Sequence, residues 1–268
     1  MVHLYQGRLQ DSKKSFEHVY RVYQEIGYRS GLAAALLNLG VLEDRQGRFE
    51  AAIDIFQQSR QIAEEIGEQL AVAYAVFSIG ASYYKMDSFH KGVVYLTESL
   101  RMLRKLQAKG YYGYPLSYMA SLFARTGKSD KAIRMAALHR KNIEQIGSDV
   151  ENGRSAMAIG IIMHKGGRML PSSQKILQEI CRKINLPAFS DTREGARLFY
   201  EYAIKVSESA HYIDTLIPAH FHLARLLQSV GDQSGFTAHL NTAYTLARES
   251  SWYRFVDTLE SSYGGNLL

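Results

Sequence analysis

The chain of 268 residues has one cysteine, Cys181, and four prolines. A lone thiol excludes an internal disulfide framework and any metal cluster built on cysteine, and it suits a reducing, cytoplasmic setting. Scarce proline lets long stretches of backbone run as uninterrupted helix. Long apolar runs are missing as well. The most apolar stretch, 71–84, lies between Glu68 and Lys85 and falls short of the roughly 20 residues that a bilayer demands. The opening residues MVHLYQGRLQDSKK contain no apolar h-region, so no signal peptide and no membrane partner are expected. Basic residues exceed acidic ones by only 32 to 26, a net charge of +6, with no run of five or more cations. Nucleic acid is therefore permitted as a partner but not indicated.

The familiar catalytic signatures are also absent: GxGxxG, GxxxxGK[ST], HExxH and GxSxG do not occur. Gly127-Lys128-Ser129 imitates the end of a phosphate loop, but Leu122 stands where the first glycine belongs. His220 and His222 are two apart, on different sides of a helix, and do not make an i,i+4 metal pair. No nucleophile, base and orienting group fall together. The expectation is a protein that is not an enzyme and that needs no cofactor and no metal.

What the sequence does have is a repeat of 40 residues. Small residues recur at Gly40, Gly80, Ala120 and Gly160, each preceded by Leu39, Ile79, Met119 or Ile159. Seven residues later comes a turn residue, Gly47, Asp87, Gly127 or Gly167. Ala52, Gly92, Ala132 and Ser172 follow, then Phe56, Leu96, Ala136 and Ile176. Helical apolar spacing on either side of each turn predicts helix hairpins. The small residue lets the partner helix approach, and Gly or Asp suits a left-handed helix end.

Leu39-Gly40, Gly47, Phe49, Ala52 and Phe56 resemble the tetratricopeptide repeat, in a lengthened form. The resemblance implies an all-α, right-handed superhelical solenoid of antiparallel helix hairpins. The expected organisation is one solenoid over 1–268: a partial repeat at 1–28, full repeats at 30–66, 69–107, 112–146 and 150–184, and degenerate repeats with a capping helix over 185–268. Residues 1–6 read as the tail of a first helix whose beginning is absent, which suggests a piece cut from a larger protein. Gly7 fits the preceding turn, and Gly264-Gly265-Asn266 reads as a loose tail.

The resemblance also implies that the first helix of each unit lines a groove. The inward positions then include Asn38 and Arg45; Tyr74, Phe77, Ser78 and Lys85; Tyr114, Tyr118 and Arg125; Arg154, His164 and Lys165; and Phe221, His222 and Arg225. This face is aromatic and basic, fit for a protein or peptide partner with acidic and apolar residues. Arg45, Lys85, Arg125 and Lys165 stand 40 apart, either as a cation row for an acidic ligand or as complements to helix dipoles. Tyr74, Tyr114 and Tyr118, in a middle that also holds Tyr111, either anchor a ligand or pack adjacent helices. Asn38 matches one position of the family's carboxylate clamp, whereas Tyr74 and Ser78 replace its next Lys and Asn. The implied role is a binding scaffold or sensor in a larger signalling protein. The alternatives are a receptor for a small signal peptide or ligand that changes curvature on binding and, less favoured, a nucleic-acid binder.

Overall fold

A computed structural model describes residues 9–165, 169–250, 252–264 and 267. The helix tail expected at 1–6 lies outside the described residues, as do Gly7, Gly167, Gly265 and Asn266. Among the described residues there are thirteen α-helices, one short 3-10 helix and no strand. The fold is all-α. In chain order the helices are α1 Leu9–Glu25, α2 Arg29–Arg45, α3 Phe49–Glu65, α4 Gln69–Lys85 and α5 Phe89–Lys105. After the 3-10 turn Lys109–Tyr111 come α6 Gly113–Arg125, α7 Ser129–Ile146, α8 Asp149–His164 and α9 Pro171–Lys183. The last four are α10 Thr192–Ser209, α11 Ile213–Ser229, α12 Gln233–Glu249 and α13 Tyr253–Tyr263.

The punctuation is finer than the repeat. Left-handed residues fall at 27, 47, 67, 87, 107, 127 and 147, one every 20 positions. Five are glycine, and Asp87 and Gln107 take the same conformation with φ of 59° and 55°. At the end of α2 the Gly47 amide donates to Asp44 O and the Arg48 amide to Glu43 O, each at 3.0 Å. This is the Schellman closure, which satisfies the last carbonyls of the helix. The same pair of bonds ends α4 at Asp87 and Ser88.

The chain divides into two compact units, Met1–Pro115 with Glu249–Phe255, and Leu116–Arg248 with Val256–Leu268. In the first unit, the hairpins α2–α3 and α4–α5 pack as the repeat predicts. A Cβ at Gly40 would fall 2.5 Å from the Phe56 ring, and one at Gly80 would fall 3.0 Å from the backbone nitrogen of Leu96. Ser59 donates to Ala33 O at 2.7 Å, and Ser99, 40 residues on, donates to Ala73 O at 2.8 Å. Arg254 closes onto the α2–α3 turn: its guanidinium donates to Gly47 O at 2.9 Å and lies 4.8 Å from the Phe49 ring centre.

The second unit corrects the expected pairing. The spacing predicts α9 as the partner of α8, with Ile176 facing Gly160. Instead Tyr200 of α10, fully buried, covers Gly160, where a Cβ would fall 2.5 Å from its ring. Gly153 meets Ser207 and Gly195 meets Met163 along the same contact. The segment holding α9 is an insertion inside the hairpin, and α9 is fastened to α7. Ser173 donates to the Asp130 carboxylate at 2.6 Å, the Leu170 amide donates to it at 3.1 Å, and Lys183 pairs with Glu144 at 2.8 Å. Leu177, Ile180 and Cys181 are buried beneath it. The physical reason is fit: the flat ring of Tyr200 fills the space beside Gly160, and Ala196 four residues earlier matches Ala52 before Phe56.

Candidate functional site

In the first unit an aromatic cluster joins α4, the 3-10 turn and the start of α6. Tyr74 and Tyr114 meet edge to face, with ring centres 5.7 Å apart and planes at 80°. Phe77 lies 5.6 Å from Tyr74 and 5.5 Å from Tyr114, and Tyr111 meets Tyr74 at 6.3 Å. Phe77 is buried, Tyr74 and Tyr114 are half-buried, and Tyr111 is exposed. The aromatic pair expected from the sequence, Tyr74 and Tyr114, is therefore in contact, with one open edge at Tyr111.

The polar positions of this unit are engaged differently from the expectation. Lys85 of the cation row is an ion-pair partner of Asp44, which also accepts from Ser82 Oγ at 2.7 Å. Asp44 is buried, so this pairing ties α4 to α2. Arg45 is buried and Asn38 half-buried on α2. Ser78 is buried with its hydroxyl donating to Tyr74 O at 3.0 Å, a contact within its own helix.

In the second unit, Arg154 is held in a buried network. Its guanidinium donates to Glu151 Oε1 at 2.7 Å and to the Tyr212 hydroxyl at 2.6 Å. Glu151 also meets His139 Nε2 at 2.7 Å, and His139 is fully buried. Burial pushes the His139 pKa down, against the pull of Glu151, so the imidazole is neutral and donates from Nε2. Burial pushes the Glu151 carboxyl up, but Arg154 and His139 outweigh it and hold it below the ordinary range. Both directions agree with a carboxylate flanked by donors. Arg154 thus has the surroundings of a structural ion pair rather than of an open groove cation.

The remaining expected positions lie on α6, at the end of α8 and in the middle of α11. Tyr200 stacks on His222 with ring centres 5.8 Å apart and planes at 12°. It meets His164 at 6.1 Å, and its hydroxyl lies 3.4 Å from His164 Nδ1. Arg225 rests over the Phe221 ring at 5.8 Å. Burial together with the positive charges of His164, Arg225, Arg125 and Lys165 pushes His222 down to about 3. His164 is lowered by burial, then by Arg225, Lys165 and Arg193. Tyr118 is half-buried on α6, while Arg125, Lys165 and Arg225 are exposed. Sequence reasoning missed Tyr200, the ring that joins the two histidines. Its signal was the Ala196–Tyr200 spacing, which repeats Ala52–Phe56.

Elsewhere in this unit His220 is buried, with Nδ1 2.9 Å from His239 Nδ1. Among the described residues no group of three or more His, Cys, Asp or Glu could hold a metal ion, and no helix is long and apolar enough to cross a membrane.

Comparison with known proteins bears on these elements. Residues 1–65 match the family model described as tetratricopeptide repeat. No curated protein sequence matches the chain. Among solved structures, the chain is similar to BtubC (BKLC) from P. vanneervenii, with a TM-score of 0.55 and 12% identity, covering 90% of this chain and 91% of that one. It is similar to a Signal Transduction ATPase with Numerous Domains protein with a tetratricopeptide repeat sensor from Pyrococcus horikoshii, with a TM-score of 0.47 and 13% identity, covering 96% of this chain and 36% of that one. The TPR2AB-domain:pHSP90 complex of yeast Sti1 follows, with a TM-score of 0.29 and 17% identity, covering 94% and 91%. At these identities a likeness speaks to fold alone, and only the first has a TM-score above 0.5.

Proposed function

On the premise that the chain carries tetratricopeptide repeats, matched over residues 1–65, we propose that it is a peptide- or protein-binding module that acts by recognition. Its setting is a scaffold or sensor within a larger regulatory protein. The observation that carries this reading is the aromatic cluster of Tyr74 and Phe77 on α4, Tyr111 in the 3-10 turn and Tyr114 at the start of α6. Edge-to-face packing holds the rings of Tyr74 and Tyr114 in place, so little side-chain entropy remains to be lost when a ligand lands on them. Tyr111 supplies the accessible edge, and its phenol offers apolar area together with a hydroxyl, the combination found at binding hot spots. In the second unit, taken by itself, the exposed cations Arg125, Lys165 and Arg225 favour a partner segment with acidic residues.

The test is selection of peptides from a random library displayed on phage, using the intact chain as bait. Tyr111→Ala should weaken the selected peptides about 5- to 30-fold, the equivalent of about 1–2 kcal/mol, with the thermal midpoint nearly unchanged. Peptides that bind Tyr111→Ala and the parent chain equally would overturn the aromatic anchor.

A further inference from the structure

We infer that one edge of the first unit is a contact surface for a second copy of this chain. Consecutive helices of this unit run back and forth, so α1, α3 and α5 end, and α2 and α4 begin, along one edge. Three segments line it: 25–29, 64–70 and 104–109. They carry the large apolar residues Ile26, Tyr28, Leu70 and Leu106, all exposed. Ile26 and Leu106 fall at one position of the 40-residue repeat, with the half-buried Ile66 between them. On the opposite edge, the turns 46–48 and 86–88 hold no exposed large apolar residue. The turn itself therefore does not call for one, and an exposed apolar row on a single edge marks a surface that meets another molecule.

The charge on this edge selects the partner. Segment 64–70 carries Glu64, Glu65 and Glu68 and no cation, whereas 104–109 carries Arg104, Lys105 and Lys109 and no carboxylate. Arg60 and Arg29 reach Glu64 and Glu65 from the helices alongside, exposed pairs that contribute little. Among the described residues Glu68, Arg104 and Lys105 form no ion pair. An acidic apolar segment beside a basic apolar one is complementary to itself turned through half a circle. A two-fold axis between them lays 64–70 of one copy on 104–109 of the other, twice, with Leu70 facing the partner's Leu106. That is the self-matching patch of a closed dimer. A partner of one sign would match one half and be repelled by the other. The three segments supply about 18 residues a side, just under the roughly 20–30 of a standard interface, which suits a reversible pairing with a Kd of about 1–100 µM. Tyr111 follows on the same edge, so a peptide anchored there would compete with the second copy, but the pairing does not rest on the peptide reading.

The test is sedimentation equilibrium of the intact chain, from low micromolar to several hundred micromolar. The mass should rise toward twice the 30.3 kDa of one chain, and added salt should weaken the pairing. Glu64→Arg with Glu68→Arg makes both segments net basic, and Arg104→Glu with Lys105→Glu makes both net acidic. All four positions are exposed, and the Glu68 side chain makes no cap bond to α4, so neither variant should move the thermal midpoint. Each variant alone should pair at least tenfold more weakly than the parent chain. An equal mixture of the two should recover pairing, because every basic segment then meets an acidic one. Leu106→Asp should weaken pairing at least tenfold as well. A parent chain that stays single at the highest concentration would overturn the inference and leave the edge to a different protein. Charge variants that pair as well as the parent, or a mixture that recovers nothing, would overturn it too.

Discussion

The contact between Gly160 and Tyr200 can be weighed by giving Gly160 one methyl group. The Cβ of Gly160→Ala would lie 2.5 Å from Tyr200 Cε1 and 2.6 Å from Cδ1, closer than any real side chain sits. The ring is fully buried and cannot step aside into solvent. Overpacking of this kind costs about 1–3 kcal/mol. Alanine also returns about 1 kcal/mol of helix propensity over glycine, so the single variant should lose about 0–2 kcal/mol. A cycle with Tyr200→Leu separates the two effects, because the propensity gain is the same in both backgrounds. The clash should then appear as a coupling of about 1–3 kcal/mol in urea unfolding followed by circular dichroism. Gly160→Ala with Ile176→Ala should be additive. If the Tyr200 cycle is additive within about 0.5 kcal/mol, or the Ile176 cycle is coupled, then α9 and not α10 is the partner of α8.

Other contacts give further tests. Gly80→Leu places its Cβ against the Leu96 backbone nitrogen, which cannot yield as a side chain can, and should lower stability by about 1–3 kcal/mol in the same assay. Asp44→Ala strands Ser82 and Lys85 together and should cost about 1–3 kcal/mol, after which Ser82→Ala should add little. His220 is pushed down to about 4 by burial and then by His239, so below pH 6.5 the unfolded chain takes up a proton that the folded chain refuses. Its contribution is complete above pH 6.5 and declines as pH falls to about 4. His220→Leu should flatten that decline by up to about 3 kcal/mol in chemical unfolding measured across the range.

Much of the architecture could be read from the chain because each unit repeats the same physical demands. A small residue at Gly40 or Gly80 must admit a partner, and a glycine at 47 or 127 must turn left-handed. Such demands leave a residue type at a fixed spacing. Asp87 and Gln107 take the same turn without glycine, which is why the 20-residue rhythm is harder to see than the 40-residue one. The pairing of α8 was misread because Ser172 and Ile176 satisfy the spacing, whereas Ala196 and Tyr200 satisfy the shape. Counting residues cannot tell an apolar side chain at the right distance from a ring that fills the hollow beside a glycine. The cation row was half legible. Its spacing was evident, but the buried Asp44 that takes Lys85 lies 41 residues away on a different helix. The Glu151 network was invisible for a related reason: His139 and Arg154 have no shared motif, only a shared neighbour in space.

The insertion that carries α9 says something about how such a chain can acquire new parts. Residues 165–191 replace a connection that elsewhere needs only three, such as 46–48. Loop closure grows with the logarithm of length, so a detour of 27 residues raises the closing cost by only about 2 kcal/mol. The hydrogen bonds of Asp130 and the apolar cover from Leu177 and Ile180 are of the size to offset that. The turn between paired helices is therefore a port at which a folded segment can be spliced in while the flanking helices keep their grip, provided the newcomer brings its own adhesive face.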